Sequence, residues 1–175
     1  MSSPWMLTDR FAEAVAYAHE AHAGHTRKGT GVPYIAHLLA VCSLVLEGGG
    51  DEDQAIAALL HDTAEDHPLP ASAGSTGGQA RVEDVRERFG DRVAGMVEAL
   101  SDTLDKHNER RTWCRRKHDY LDHLSAGGAG EPHVLISVAD KLHNSRSIVR
   151  DLRAADDPAD VWRRFTGRRT GTCWY

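Results

Sequence analysis

The sequence predicts an all-α protein. Three observations carry that expectation. Apolar residues recur at helical spacing in nearly every segment, Gly-containing breaks separate the segments, and no alternating β-branched run bounded by turns demands a strand. At 175 residues, with 41% apolar and 27% charged residues, the chain is long enough to bury a core as a single domain over 1–175.

The elements follow in order. Thr8 can cap a helix running to about Ala23, with Phe11, Val15 and Ala18 on one face and Gly24 as its stop. Residues 25–33 form a Gly- and Pro-containing connection. Tyr34 opens a second helix carrying Ile35, Leu38, Leu39, Val41, Leu44 and Val45, which ends at Gly48-Gly49-Gly50. Residues 51–66 read as one helix: Asp51 can cap it with Gln54 three positions on, and Ala55, Ile56, Leu59 and Leu60 supply an apolar face. His67-Pro68-Leu69-Pro70 and the small residues after it read as a flexible loop over about 67–79. Short amphipathic helices are expected over 80–89, stopped by Gly90, and over 91–101. A basic helix at about 111–125 holds Arg115, Arg116 and Lys117, with Trp113, Tyr120 and Leu124 on its apolar side. A long helix from about Pro132 to Ala155 and a short one with Val161, Trp162 and Phe165 complete the chain.

Composition narrows the function. A formal net charge of −5 argues against broad electrostatic binding of nucleic acid, although it permits a local basic pocket. No run reaches membrane-spanning length, and the N-terminus lacks a basic-then-apolar signal. The three cysteines, Cys42, Cys114 and Cys173, are far apart and form no paired motif, which points to reduced thiols in a cytoplasmic protein without a zinc ribbon.

Three segments carry chemistry. In Leu59-Leu60-His61-Asp62-Thr63-Ala64-Glu65-Asp66, a continuous helix puts His61 over Glu65 and Asp62 over Asp66. Three carboxylates and an imidazole so placed repel one another unless a cation sits among them. A solvated acidic helix end is the bland alternative, but acidic residues favour the first turn of a helix rather than the last. In Val138-Ala139-Asp140-Lys141-Leu142-His143-Asn144, Asp140 follows Leu135, Ile136 and Val138, so a carboxylate enters a stretch that should be buried; Asn144 faces the same way one turn on. Burial is costly for that carboxylate unless it is paired or metal-bound, and an Asp–Lys or Asp–Arg pair on a half-exposed helix explains it as readily. His37, alone on an apolar helix, would by itself be read as an ordinary core or boundary residue.

Together the segments resemble a known family. His37, then His61-Asp62, then Asp140 is similar to the HD-domain metal-dependent phosphohydrolases. Arg27-Lys28 before Pro33-Tyr34-Ile35-x-His37, then His61-Asp62-Thr63-x-Glu65-Asp66, then Ala139-Asp140-Lys141-Leu142-His143-Asn144 resembles more narrowly the alarmone hydrolases, the hydrolase half of RelA/SpoT proteins and its stand-alone small relatives. The resemblance implies that His37, His61, Asp62 and Asp140 ligate one divalent metal, typically Mn²⁺, with Fe²⁺ or Zn²⁺ also able to bind. It implies that Glu65 and Asp66 orient or deprotonate the attacking water, that Arg27 stacks on the guanine with Lys28 beside it, and that Asn144 lies near the sugar and phosphates. Arg116 and Lys117 have the charge to bind a pyrophosphate; a solvated basic helix face explains them equally well.

The implied reaction removes the 3′-pyrophosphate of guanosine 3′,5′-bis(diphosphate) or its pentaphosphate, giving GDP or GTP. The partner is then a small nucleotide, with no nucleic acid and no membrane, and a homo-oligomer stays open. Three departures from the family pattern stand out. The 67–79 tract is longer than the usual link, 101–112 lacks a family motif, and Trp162-x-x-Phe165 and Gly171-x-x-Trp174-Tyr175 approach a last helix before which the chain stops. Two rival readings stay open: another HD phosphohydrolase acting on a dNTP, a nucleoside monophosphate or NADPH, and a non-catalytic nucleotide-binding relative.

Overall fold

In the computed structural model of the chain, residues 6–70, 75–101, 104, 112–128 and 130–175 are described, with backbone only at 123, 126 and 127. The described residues form helices α1 (Asp9–Ala21), α2 (Ile35–Glu47), α3 (Glu52–Leu60), α4 (Thr63–Asp66), α5 (Gly77–Phe89), α6 (Asp91–Leu100), α7 (Trp113–Gly127), α8 (Pro132–Ala154), α9 (Pro158–Arg163) and α10 (Arg168–Trp174). The all-α expectation holds. The nearest approach to a strand among these residues is an isolated antiparallel bridge, Thr26 to Pro33, which pins the α1–α2 connection into a closed loop.

The other helices pack around α3. Its residues Ala55, Ile56, Ala57, Ala58, Leu59 and Leu60 all have no solvent exposure, because α1, α2, α6 and α8 cover it from several sides. The single apolar face expected from Ala55, Ile56, Leu59 and Leu60 is therefore too narrow. Ala57 and Ala58 are apolar as well, so beyond the polar first turn Glu52-Asp53-Gln54 the helix is apolar all round and belongs in the interior. Its start is fixed by the expected capping box: Asp51 Oδ1 accepts from Gln54 N at 3.0 Å and Gln54 Oε1 accepts from Asp51 N at 3.1 Å. Arg92 on α6 donates to both oxygens of Asp51, at 2.9 and 2.8 Å, tying the cap to a second helix.

The structure corrects the expected helix over 51–66. The α-helix ends at Leu60, His61 and Asp62 form a turn, and α4 is a separate single turn. Thr63, buried among apolar neighbours, returns its hydroxyl to Leu60 O at 2.7 Å, offering the backbone a partner outside the regular ladder.

Later boundaries shift slightly. α5 begins at Gly77 rather than 80, because Thr76 and Gln79 form a second capping box, so the link after α4 is shorter than the expected 67–79 loop. Residues 71–74 of that loop, and most of 101–112, lie outside the described residues. Gly90, at φ +91°, closes α5 and opens α6 in a conformation that favours glycine. The Gly171-to-Tyr175 stretch, expected to approach a helix, falls at the end of α10, with Tyr175 as its C-cap. It lies against α7, with Tyr175 6.2 Å from Trp113 and 6.3 Å from Tyr120 between ring centroids.

Removing the α3 cap should be felt at the core. Asp51→Ala is expected to destabilise the metal-free protein by about 1–2 kcal/mol, read from urea unfolding midpoints. A midpoint equal to that of the unmodified protein would show that the box contributes nothing.

Candidate metal centre

Three helices converge where α3 ends. His37 from α2, His61 and Asp62 from the α3–α4 turn and Asp140 from α8 are brought side by side. His37 Nε2 lies 3.2 Å from Asp140 Oδ1 and 3.7 Å from Asp62 Oδ2, while His61 Nε2 lies 3.0 Å from Asp62 Oδ2 and 3.9 Å from Asp140 Oδ1. The donor atoms of His37, His61 and Asp140 all fall within 4.8 Å of one another, and that group could hold a metal ion. The two imidazoles are almost wholly buried, whereas the Asp62 and Asp140 side chains keep a narrow opening to solvent.

Each group is oriented from behind. His61 Nδ1 lies 2.9 Å from Ala58 O, an atom that can only accept, so Nδ1 carries the proton and Nε2 turns to the cluster. His61 Nε2 is buried and faces Asp62 Oδ2 at 3.0 Å without the alignment of a hydrogen bond. A buried imidazole nitrogen turned toward carboxylates is a donor set that a cation can occupy. His37 Nδ1 meets His143 Nδ1 at 2.7 Å, and Tyr34 donates to Asp62 Oδ2 at 2.6 Å. Asp140 accepts from Asn144 Nδ2 at 2.5 Å through Oδ1 and from Lys141 Nζ at 2.7 Å through Oδ2. The Asp–Lys pair weighed from the sequence is real, and it coexists with the cluster.

The electrostatics follow from the crowding. Burial opposes charge on His61, yet the Asp62 carboxylate overrides it and lifts the imidazole to about 9. Burial alone would raise Asp62 and Asp140. His61 beside Asp62, and His37 and Lys141 beside Asp140, instead hold both carboxyls well below the usual range. His37 is lowered by burial, and burial together with the neighbouring His37 lowers His143 to about 4. Asp66 is exposed by area, but desolvation by the protein around it and the Asp62 charge push its carboxyl up.

The cluster forms part of the wall of a cavity of about 400 Å³, within the range of small-molecule sites. Glu65, Asp66, Arg27, Lys28, Lys117 and Asn144, all singled out from the sequence, line it. Arg116 does not. It lies on the same helix as Lys117, but adjacent residues on a helix point about 100° apart, so only one of them faces the cavity. Arg115 likewise pairs with Asp119 on an exposed face, as the solvated alternative anticipated. Arg27 is already engaged: Nη2 donates to Asn144 Oδ1 at 2.5 Å and the guanidinium lies 5.5 Å from the Tyr34 ring. Asn144 thus bridges Arg27 to Asp140. Sequence reasoning gave no role at the site to Tyr34 and His143, although it quoted both. The available signal was position, since His143 stands three residues after Asp140 on the same helix.

Residues 14–173 match the HD domain family. The chain belongs to the HD-domain family. This HD domain is similar to a Synechocystis protein named probable guanosine-3′,5′-bis(diphosphate) 3′-pyrophosphohydrolase, at 31% identity over 77% of the chain and 16% of that protein. It is also similar to the Escherichia coli bifunctional (p)ppGpp synthase/hydrolase SpoT, at 34% identity over 79% of the chain and 18% of SpoT. The HD domain therefore spans less than a fifth of the length of these curated relatives. Among solved structures it resembles a metazoan SpoT ortholog described as hydrolysing ppGpp, with a TM-score of 0.66 and 28% identity over 83% of this chain and 73% of that one.

The His61 proton sets a pH dependence. Its folded value, about 9, lies above the unfolded value of about 6.5. Its contribution is therefore fully present below about 6.5 and is lost as pH rises through 9. EDTA-treated protein should lose up to about 3 kcal/mol of unfolding free energy between pH 6.5 and 9, and Asp62→Asn should flatten that slope. Urea midpoints in the unmodified protein that do not move over this interval would sink the assignment.

Proposed function

We propose that this chain is a metal-dependent hydrolase that removes the 3′-pyrophosphate of guanosine 3′,5′-bis(diphosphate) or its pentaphosphate. The observation that carries the reading is the placement of a His37–His61–Asp62–Asp140 cluster in the wall of a cavity that also gathers Arg27, Lys28 and Lys117, in a chain whose net charge is −5. Cations collected in one cavity of an acidic chain fit a polyanionic substrate. The names of the relatives support a guanosine bis(diphosphate) as that polyanion.

The donor set of two imidazoles and two carboxylates suits Mn²⁺, and Fe²⁺ or Zn²⁺ would also be held. A cation bound there supplies Lewis-acid polarisation of a phosphoryl oxygen and acidifies a nearby water. The chain's own groups do the rest. Glu65 and Asp66 accept the proton of the attacking water, and burial together with the Asp62 charge raises the Asp66 carboxyl, which makes it a better proton acceptor than a free carboxylate. Lys28 and Lys117 neutralise phosphate charge. Arg27 is held edge-on by Asn144 over Tyr34, a position from which its planar face can meet a base. Tyr34 and His143 fix Asp62 and His37 from behind, and are positioning residues.

Purified protein with Mn²⁺ should release pyrophosphate from guanosine tetraphosphate and stop when treated with EDTA. The same assay run with dNTPs, nucleoside monophosphates and NADPH tests the substrate: a faster rate on any of these would reassign it. His61→Ala and Asp140→Ala should lose both bound Mn²⁺ and turnover, and activity surviving in both would overturn the ligand set. Glu65→Gln should keep the metal while kcat falls by roughly 10²–10⁴-fold. Loss of metal in that variant would make Glu65 a ligand instead.

A further inference from the structure

A second group of imidazoles lies beside the first and takes no part in the function proposed above. His22 caps the C-terminal end of α1, His25 sits in the α1–α2 connection, and His67 caps the end of α4. Their ligand atoms lie within 4.8 Å of one another. His25 Nδ1 is 3.3 Å from His22 Nδ1 and 3.3 Å from His67 Nε2.

Hydrogen bonding alone accounts poorly for this geometry. A single imidazole nitrogen either donates one proton or accepts through one lone pair, so His25 Nδ1 can properly satisfy only one of its two neighbours. A cation satisfies all three lone pairs together. For Zn²⁺ with Zn–N bonds of about 2.0–2.1 Å, the edge of the coordination tetrahedron is about 3.3–3.4 Å, which matches both separations. His22 is almost fully buried, so its Nδ1 meets His25 away from bulk water.

The three rings are also held in place before any ligand arrives. His25 N donates to His22 O at 3.0 Å, and His25 O accepts from Tyr34 N at 2.9 Å. His67 N donates to Thr63 O at 3.1 Å, and its carbonyl accepts from Arg81 Nε at 2.9 Å. The Tyr34 ring stacks on His25 at 4.2 Å and on His22 at 4.8 Å, with interplanar angles of 7° and 12°. Such fixed ligand backbones lower the ordering cost of binding.

We propose that His22, His25 and His67 form a second divalent-cation site, of the nitrogen-donor class that favours Zn²⁺, with water in the remaining position. It is distinct from the His37–His61–Asp62–Asp140 centre and does not rest on the substrate assigned to it. The site clamps the segment that follows Glu65 and Asp66 to the connection that carries Arg27 and Lys28. Tyr34 joins the two sites, since the ring that stacks on His25 also donates its hydroxyl to Asp62.

The test is metal stoichiometry. Protein equilibrated with Zn²⁺ and passed through gel filtration should carry two zinc ions per chain by mass spectrometry. His25→Gln, which keeps a polar side chain without an imidazole, should carry one, as should His67→Ala. Asp140→Ala should also carry one, and that ion should raise its Tm and give Co²⁺-substituted protein the visible spectrum of a nitrogen-rich tetrahedral site. The double variant His25→Gln/Asp140→Ala should carry none and show neither the Tm shift nor the spectrum. Far-UV circular dichroism checks that each variant is folded. Wild-type stoichiometry retained in both His25→Gln and His67→Ala, or no zinc in folded Asp140→Ala, overturns the second site. A single wild-type ion that disappears in His25→Gln would support the second site and overturn the first instead.

Discussion

Burial of α3 is the constraint on which the rest of this structure depends. From Ala55 to Leu60 this helix has no polar face and has to be covered from several directions, and the helices that cover it are those that bring the chemistry. α2 lies against it carrying His37, α8 carrying Asp140, and its own C-terminal end delivers His61 and Asp62 at the point where the apolar run stops. Ala55, Ala57 and Ala58 are fully buried beneath these neighbouring helices. The interior of the helix is thus a packing device and its end is a chemical one.

That arrangement concentrates charge where protein prefers none. Two imidazoles and two carboxylates share a desolvated volume, and each would be destabilising alone. They are tolerated because each has two partners: Asp140 has Asn144 and Lys141, Asp62 has Tyr34 and His61, His37 has His143 and Asp140, and His61 has Ala58 O and Asp62. His61 Nε2, Asp62 and Asp140 all turn toward one point between them. The same logic extends outward, because Tyr34 supports Asp62 with its hydroxyl and carries His22 and His25 on its ring face.

Much of the fold was legible in the sequence, for physical reasons that can be named. Caps at Thr8, Asp51 and Gly90 act locally, between residues two to four positions apart, so the residue types alone reveal them. The extent of the helices around Leu38, Val93 and Ile136 followed from apolar periodicity. The break at His61–Asp62 did not, because both residues are compatible with a helix and the interruption is imposed by what surrounds Thr63. Arg116 and Lys117 were indistinguishable by charge; which one reaches the cavity depends on how α7 is rotated, and that depends on Trp113 and Tyr120 finding α10.

For the site, the sequence by itself determined which side chains were available: His37, the His61-Asp62 doublet, Glu65-Asp66, Asp140 and Asn144, in an order matching the HD family. Only the tertiary structure decided that four of them meet, that Asn144 links Asp140 to Arg27, and that Tyr34 and His143 hold the cluster from behind. It alone showed that His22, His25 and His67, unremarked among eleven histidines, face one another. The reason is range: capping and amphipathic pattern are written between near neighbours along the chain, whereas a cluster such as His25 and His67 joins residues far apart in sequence, and only packing around α3 makes them adjacent.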